Sequence, residues 1–157
     1  LCLVIWFSHK NEQLSGREYL GKEQGSLMPD CPFCAVPDAL GNGTAMHNEL
    51  AYVREDKFPV SPGHLLVIPK RHANDWFCLT EQEQAAVMQL INQAKTWLDQ
   101  RYSPDAYNIG MNCGEVAGQT VPHMHCHIIP RYQGDSDDPR GGVRWVKPDQ
   151  ADYWSEQ

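Results

Sequence analysis

The eight residues from His123 to Pro130, HMHCHIIP, constrain this chain more than any other stretch. Imidazoles at His123, His125 and His127 alternate with apolar side chains at Met124, Cys126 and Ile128. Alternation with a period of two predicts a β-strand, because successive side chains of a strand point to opposite faces. Such a strand turns its three rings to one side, neighbours roughly 6.5–7 Å apart, and its apolar side chains toward a core. Three histidines within five positions are costly in a purely structural strand, since each buried ring needs hydrogen-bond partners. Three readings stand at this point: a solvated polar face on an edge strand, a His-x-His metal site, or an imidazole nucleophile oriented by its neighbours.

The residues just upstream narrow the choice. Asn112, Gly114, Gly118, Gln119 and Thr120 form the loop NCGEVAGQT, which runs straight into the histidine segment. A glycine-rich loop can bring backbone N–H groups close to a ligand, and such a cradle suits phosphate.

At 157 residues the chain is long enough for one domain with a sizeable core. A net charge of -7 argues against a surface that coats nucleic acid; a small phosphorylated ligand needs only local donors. No apolar run approaches the eighteen or so residues that cross a bilayer, so no membrane partner is expected. The opening LCLVIWF lacks a preceding basic region and a cleavage site and makes a poor signal peptide. Six cysteines, two of them in the pair Cys31-Pro-Phe-Cys34 and the rest scattered, fit a reducing compartment. A cytoplasmic protein is expected.

Residues 1–27 differ in character from the rest of the chain and are expected to be an N-terminal extension, non-native or disordered, with Met28 near the natural start. The domain is expected over residues 28–147, with a C-terminal tail at 148–157. Within the domain, Glu49 to Arg54 and His64 to Pro69 predict two strands, joined by a turn punctuated by Pro62-Gly63. Thr80 and Glu83 have the spacing of a capping box. Val87, Leu90, Ile91, Ala94, Trp97 and Leu98 come next at helical spacing, predicting a helix from Glu81 to about Arg101. Ala106 to Met111 and Val143 to Val146 predict further strands, and Trp145 and Trp154 are expected to cover the domain or a partner. Short connections favour antiparallel pairing. The expected class is α+β, an antiparallel sheet of about five strands with one long helix packed on it.

Cys31 and Cys34 offer two sulfurs on a tight turn. That is either a buried apolar pair or half of a tetrahedral zinc site, whose other ligands would come from among His47, His64, His72 and a triad histidine.

The segment GQTVPHMHCHII, Gly118 to Ile129, resembles the His-x-His-x-His-x-x signature of the histidine triad (HIT) family of nucleotide hydrolases and transferases. The resemblance covers roughly Cys31 to Tyr132 and implies the family's antiparallel meander and often a homodimer. It implies hydrolysis of a small-molecule nucleotide at the α-phosphate, through a covalent nucleotidyl-histidine. Dinucleoside polyphosphates or nucleoside phosphoramidates are the expected substrates, and the PRGG stretch favours the dinucleoside polyphosphate branch. His125 would be the nucleophile and His127 a phosphate contact. Thr120 would face the leaving-group oxygen beside Gln119, and Asn112 would reach the phosphates. Asp56 would hold ribose hydroxyls, with Phe33 and Phe58 around the base. Zinc-bearing relatives imply Cys31, Cys34, His72 and His123 as ligands of a structural metal, with none required for catalysis. A uridylyltransferase-like activity is the main alternative, although that group carries Gln at the third triad position, where His127 stands. A nucleotide-binding interaction module and a zinc hydrolase acting directly through the triad are the others.

Overall fold

The computed structural model describes residues 30–36 and 46–155; the expectations for residues 1–27 lie outside them. Four strands and one long helix carry the fold: β1 (Ala51–Glu55), β2 (Leu65–Pro69), α1 (Glu81–Tyr102), β3 (Ala106–Gly110) and β4 (Cys126–Arg131). All pairings are antiparallel and the strand order is β1-β2-β4-β3, so β1 and β3 are the edges.

The local signals in the sequence account for α1. The Thr80 hydroxyl accepts from the Glu83 N–H while the Glu83 carboxylate accepts from the Thr80 N–H, so the capping box is complete. The helix ends at Ser103, whose φ of 48° is left-handed, just before Pro104. Its buried stripe of Val87, Leu90, Ile91, Ala94 and Leu98 packs on Ala51, Val53, Leu65, Val67, Cys126 and Ile128 from the sheet and on Met124 just before β4. Gly63, in the turn between β1 and β2, has a φ of +85°. A Cβ there would lie 2.9 Å from Leu98 Cδ2, so both backbone and space demand glycine.

Two expectations are corrected. The described residues form four strands rather than about five, because Val143–Val146 belongs to a 3-10 helix spanning Gly142–Val146. Gly141 and Gly142, with φ of 82° and 48°, turn the chain so that the Arg144 N–H bonds to the Gly141 carbonyl instead of to a sheet edge. The histidine segment also enters the sheet later than its alternation predicts. The last β2–β4 pair is Val67↔Cys126, and β3 reaches only as far as Gly110↔His127. β2 runs on to Pro69, but before Cys126 the chain leaves it: the Met124 N–H bonds to the Ala73 carbonyl at 2.7 Å, and the Pro69 carbonyl takes the His123 ring N–H. The alternation of faces survives all the same: Met124, Cys126 and Ile128 enter the core under α1.

On the face opposite α1, Phe33, Tyr52, Leu66 and Ile68 form a second, smaller apolar cluster, with the Tyr52 hydroxyl donating to the Phe33 carbonyl. Farther along that face, Trp145 donates its indole N–H to the Arg140 carbonyl and Ala151 is fully buried. Trp154 lies beneath the Arg140 guanidinium, 4.7 Å from it. Among the described residues no helix is long and apolar enough to cross a membrane.

Candidate active site and metal centre

Each triad ring has a different set of partners. The buried His123 donates from Nε2 to the Pro69 carbonyl at 2.9 Å, which leaves Nδ1 as its lone-pair nitrogen. Nδ1 lies 3.4 Å from the Cys31 sulfur and 3.7 Å from that of Cys34, and Cys34 Sγ lies 3.3 Å from His72 Nδ1. The ligand atoms of Cys31, Cys34, His72 and His123 all fall within 4.8 Å of one another. Zinc bonds of about 2.3 Å to sulfur and about 2.0 Å to nitrogen put the corners of a tetrahedron roughly 3.3–3.8 Å apart, so the donor set and its spacing fit such an ion. Burial pushes the His123 imidazole down to about 4, keeping it neutral and able to coordinate. The carbonyl behind it supplies the orienting contact that metal-binding histidines need.

His125 is turned the other way. Its Nδ1–H donates to the His123 carbonyl at 2.8 Å, so the lone pair resides on Nε2. The Phe33 ring packs edge-on against it, with centroids 5.1 Å apart. The His127 ring lies on its other side, also at 5.1 Å.

His127 belongs to a relay that starts outside the triad. The Val60 N–H donates to His64 Nδ1, so His64 carries its proton on Nε2. That N–H points at His127 Nδ1, 3.0 Å away, which leaves His127 with its own proton on Nε2, a donor. Asp56 Oδ2 stands 3.5 Å from His64 Nε2 and 3.7 Å from His127 Nδ1. Burial pushes the His127 imidazole down to about 4; the neighbouring His125 and His64 act the same way, and Asp56 opposes them. His64 is lowered too, chiefly by burial.

The glycine-rich loop is held from inside. Gln119 accepts from the Gly114 N–H and donates to the carbonyls of Asn74 and Val121. Asn112 donates to the Gly118 carbonyl at 3.4 Å, and Thr120 is exposed at the loop's end. Gly114 and Gly118, at φ of 92° and 90°, need the left-handed region that glycine allows.

The structure therefore brings His125, His127, Asp56 and Phe33 together. The Gln119–Thr120 loop leads into them. The Phe58 N–H donates to Asp56 Oδ1 at 2.8 Å, while its ring is 78% exposed under the Lys57 ammonium. His64 entered the sequence reading only as a possible zinc ligand, and its place beside His127 was missed. Its signal was spacing: two residues before Leu66, it shares that residue's face, and Leu66 pairs with His127.

The profile of the HIT domain matches residues 43–134 of the chain. An uncharacterized HIT-like protein of Mycoplasma pneumoniae is 36% identical over 115 residues, 71% of this chain and 78% of that one. This chain belongs to the HIT family. An AP-4-A phosphorylase of Mycobacterium tuberculosis is similar to this HIT protein at 29% identity over 85% of the chain and 70% of its own length. A bis(5'-nucleosyl)-tetraphosphatase (asymmetrical) of Schizosaccharomyces pombe is 42% identical over 49% of the chain and 42% of its own length. A HIT family protein of Bacillus anthracis shares the fold with a TM-score of 0.59 and 34% identity, covering 68% of this chain and 77% of that one.

Proposed function

We propose that this HIT protein is a hydrolase that cleaves nucleotides at the α-phosphate through a nucleotidyl-His125 intermediate, with dinucleoside polyphosphates or nucleoside phosphoramidates as substrates. The observation that carries the reading is the His125 Nδ1–H bond to the His123 carbonyl, which reserves Nε2 as nucleophile. Nε2 attacks the α-phosphorus; an N–P bond forms, the P–O or P–N bond to the leaving group breaks, and the leaving group departs with the bond's electron pair. Splitting one difficult substitution into two easier ones is the gain from the covalent step. Water then attacks the same phosphorus and releases a proton to solvent, the N–P bond breaks with its electron pair returning to Nε2 of His125, and the nucleoside monophosphate leaves. Charge on the non-bridging oxygens is met by the Nε2–H of His127 and by N–H groups of the Asn112–Thr120 loop. Thr120 faces the leaving-group oxygen, Gln119 holds the loop, and Asn112 reaches the phosphates. Asp56 takes ribose hydroxyls and Phe33 bounds the base.

Cys31, Cys34, His72 and His123 would hold a zinc ion. With its four corners filled from the chain, that ion fixes local structure and takes no part in the chemistry. The exposed ends of edge strand β3 support a homodimer that extends the sheet. The test is an acid quench during turnover of diadenosine tetraphosphate. One nucleotidyl group should appear on the peptide carrying His125 and be absent from His125→Asn. A modified peptide elsewhere, or turnover by that variant, would sink the mechanism.

A second reading keeps the intermediate and changes the acceptor. Similarity to a protein named as a phosphorylase, across 85% of this chain, favours inorganic phosphate in place of water. Adding phosphate to the assay and separating nucleoside diphosphate from monophosphate by chromatography distinguishes the two.

A further inference from the structure

Beside the triad lies a cleft of about 680 Å³, within the range of small-molecule sites. It is bounded by the open face of β3 and β4 and by the Gly142–Val146 helix. Its two ends differ chemically. At one end stand His127, His64 and Asn112, beside the proposed phosphate position. At the other, Ile129, Val143 and Val146 supply apolar surface around one charged pair. That pair is balanced: Arg131 is bidentate to Asp135, both contacts at 2.7 Å, and its remaining arm donates to Asn108 Oδ1 at 2.6 Å. A guanidinium so committed offers little to a phosphate. Asn108, its oxygen taken, presents its amide N–H groups as donors.

Gly110 joins the two ends. It pairs with His127 across the sheet. Its φ does not require glycine, and a Cβ built there meets nothing within 4 Å. The missing side chain leaves open the passage from His127 to the apolar end. Val143 and Val146 are 64% and 77% exposed along that passage, apolar surface turned to solvent.

We propose that this cleft is the leaving-group subsite, and that it takes the second nucleoside of a dinucleoside polyphosphate. The proposal rests on the hydrolase reading and selects among its substrates. The phosphate chain runs from His127 past Gly110. The distal base lies on Ile129, Val143 and Val146, and Asn108 donates to an acceptor on base or ribose. A phosphoramidate with a small amine leaving group leaves this region empty.

The test compares kcat/KM for diadenosine tetraphosphate and for adenosine 5'-phosphoramidate in the full chain and two variants. Val146→Asp puts a charge on the apolar wall, and Gly110→Val narrows the passage with a residue that strands accept. In each variant the ratio of the two kcat/KM values should fall about tenfold or more against diadenosine tetraphosphate, the scale of discrimination an apolar pocket supplies. Equal losses on both substrates, or no loss on either, would overturn the subsite. So would a changed molar mass of Val146→Asp in light scattering, which would assign the wall to a second copy. If the unmodified chain cleaves neither substrate, the hydrolase reading itself fails and the subsite with it.

Discussion

The backbone carbonyl of His123 lies 2.8 Å from Nδ1 of His125, while the His123 ring turns away toward Cys31 and Cys34. One residue thus joins the candidate metal ligands through its side chain and holds the proposed nucleophile through its main chain. The tautomer of His125 is fixed by this contact, because a carbonyl can only accept. Nitrogen NMR of the free protein should show His125 protonated at Nδ1 and bare at Nε2. His125→Asn should lower kcat by about 10⁴-fold or more, with nucleotide binding retained. The opposite tautomer would leave no lone pair for phosphorus.

The relay from Val60 through His64 fixes His127 as a donor. His64→Leu removes the N–H that holds His127 Nδ1 and should cost about tenfold to a hundredfold in kcat, with KM little changed. His64→Gln, which keeps an N–H on a side chain of similar reach, should recover part of the loss. Equal activity of the Leu and Gln variants would refute a positioning role.

The donor set around His123 predicts about one zinc per chain. Elemental analysis should find it in the unmodified protein and lose it in Cys31→Ser and His72→Asn. Chelation should lower the melting temperature, because metal affinity is part of folding free energy in such sites. A metal-free protein of unchanged melting temperature would remove zinc from the account.

Glu83 caps α1 and also takes both arms of Arg71, each at 2.7 Å. The Arg71 guanidinium holds its carboxyl below the usual glutamate range. A carboxyl lowered in this way stabilises the fold above its unfolded pKa, near 4.5, and the contribution fades as pH falls through the lower folded value. Thr80→Ala should cost about 1 kcal/mol. Glu83→Ala should cost more, about 2–3 kcal/mol, because Arg71 then loses its partner. Urea denaturation of both variants checks the order.

His127 gives a second pH signature with the opposite chemistry. Its folded pKa of about 4 lies below the unfolded value of 6.5. Between those values the unfolded chain takes up a proton that the folded chain refuses. Stability from this group is complete above pH 6.5 and falls toward pH 4, by up to about 1.4 kcal/mol per pH unit. With chelator present throughout, His127→Asn should flatten the dependence between pH 6.5 and 4. Parallel curves for the two proteins would show that His127 contributes none of it.

What the sequence revealed and what it hid divide along a physical line. The helix was legible because its signals are local: Thr80 and Glu83 three apart, an apolar stripe, and Ser103-Pro104 as the stop. The faces of the histidine segment were legible for the same reason. Where its ladder begins was not, because that depends on distant contacts: β3 ends at Gly110, and the Met124 N–H is drawn to the Ala73 carbonyl rather than to β2. Val143–Val146 has the apolar residues of a short strand, but the left-handed glycines Gly141 and Gly142 commit the chain to a tight turn. The part His64 plays beside the triad escaped notice because it is set by the Leu66↔His127 register, and that of Gly110 because its contribution is an absent side chain. Phe58 was singled out for its aromatic ring, and how far that ring is exposed was not legible in it.

Met124, Cys126 and Ile128 enter the interior beneath α1, while His123, His125 and His127, alternating with them, turn to the opposite face of the chain. Reactive groups and fold-sustaining groups are therefore interleaved atom by atom in a single short stretch. Deleting or inserting one residue at Val121 or Pro122 would exchange the two sets, sinking rings into hydrocarbon and lifting hydrocarbon toward substrate. Substitutions here can be graded in their effect, but a change of length would remove activity and stability together.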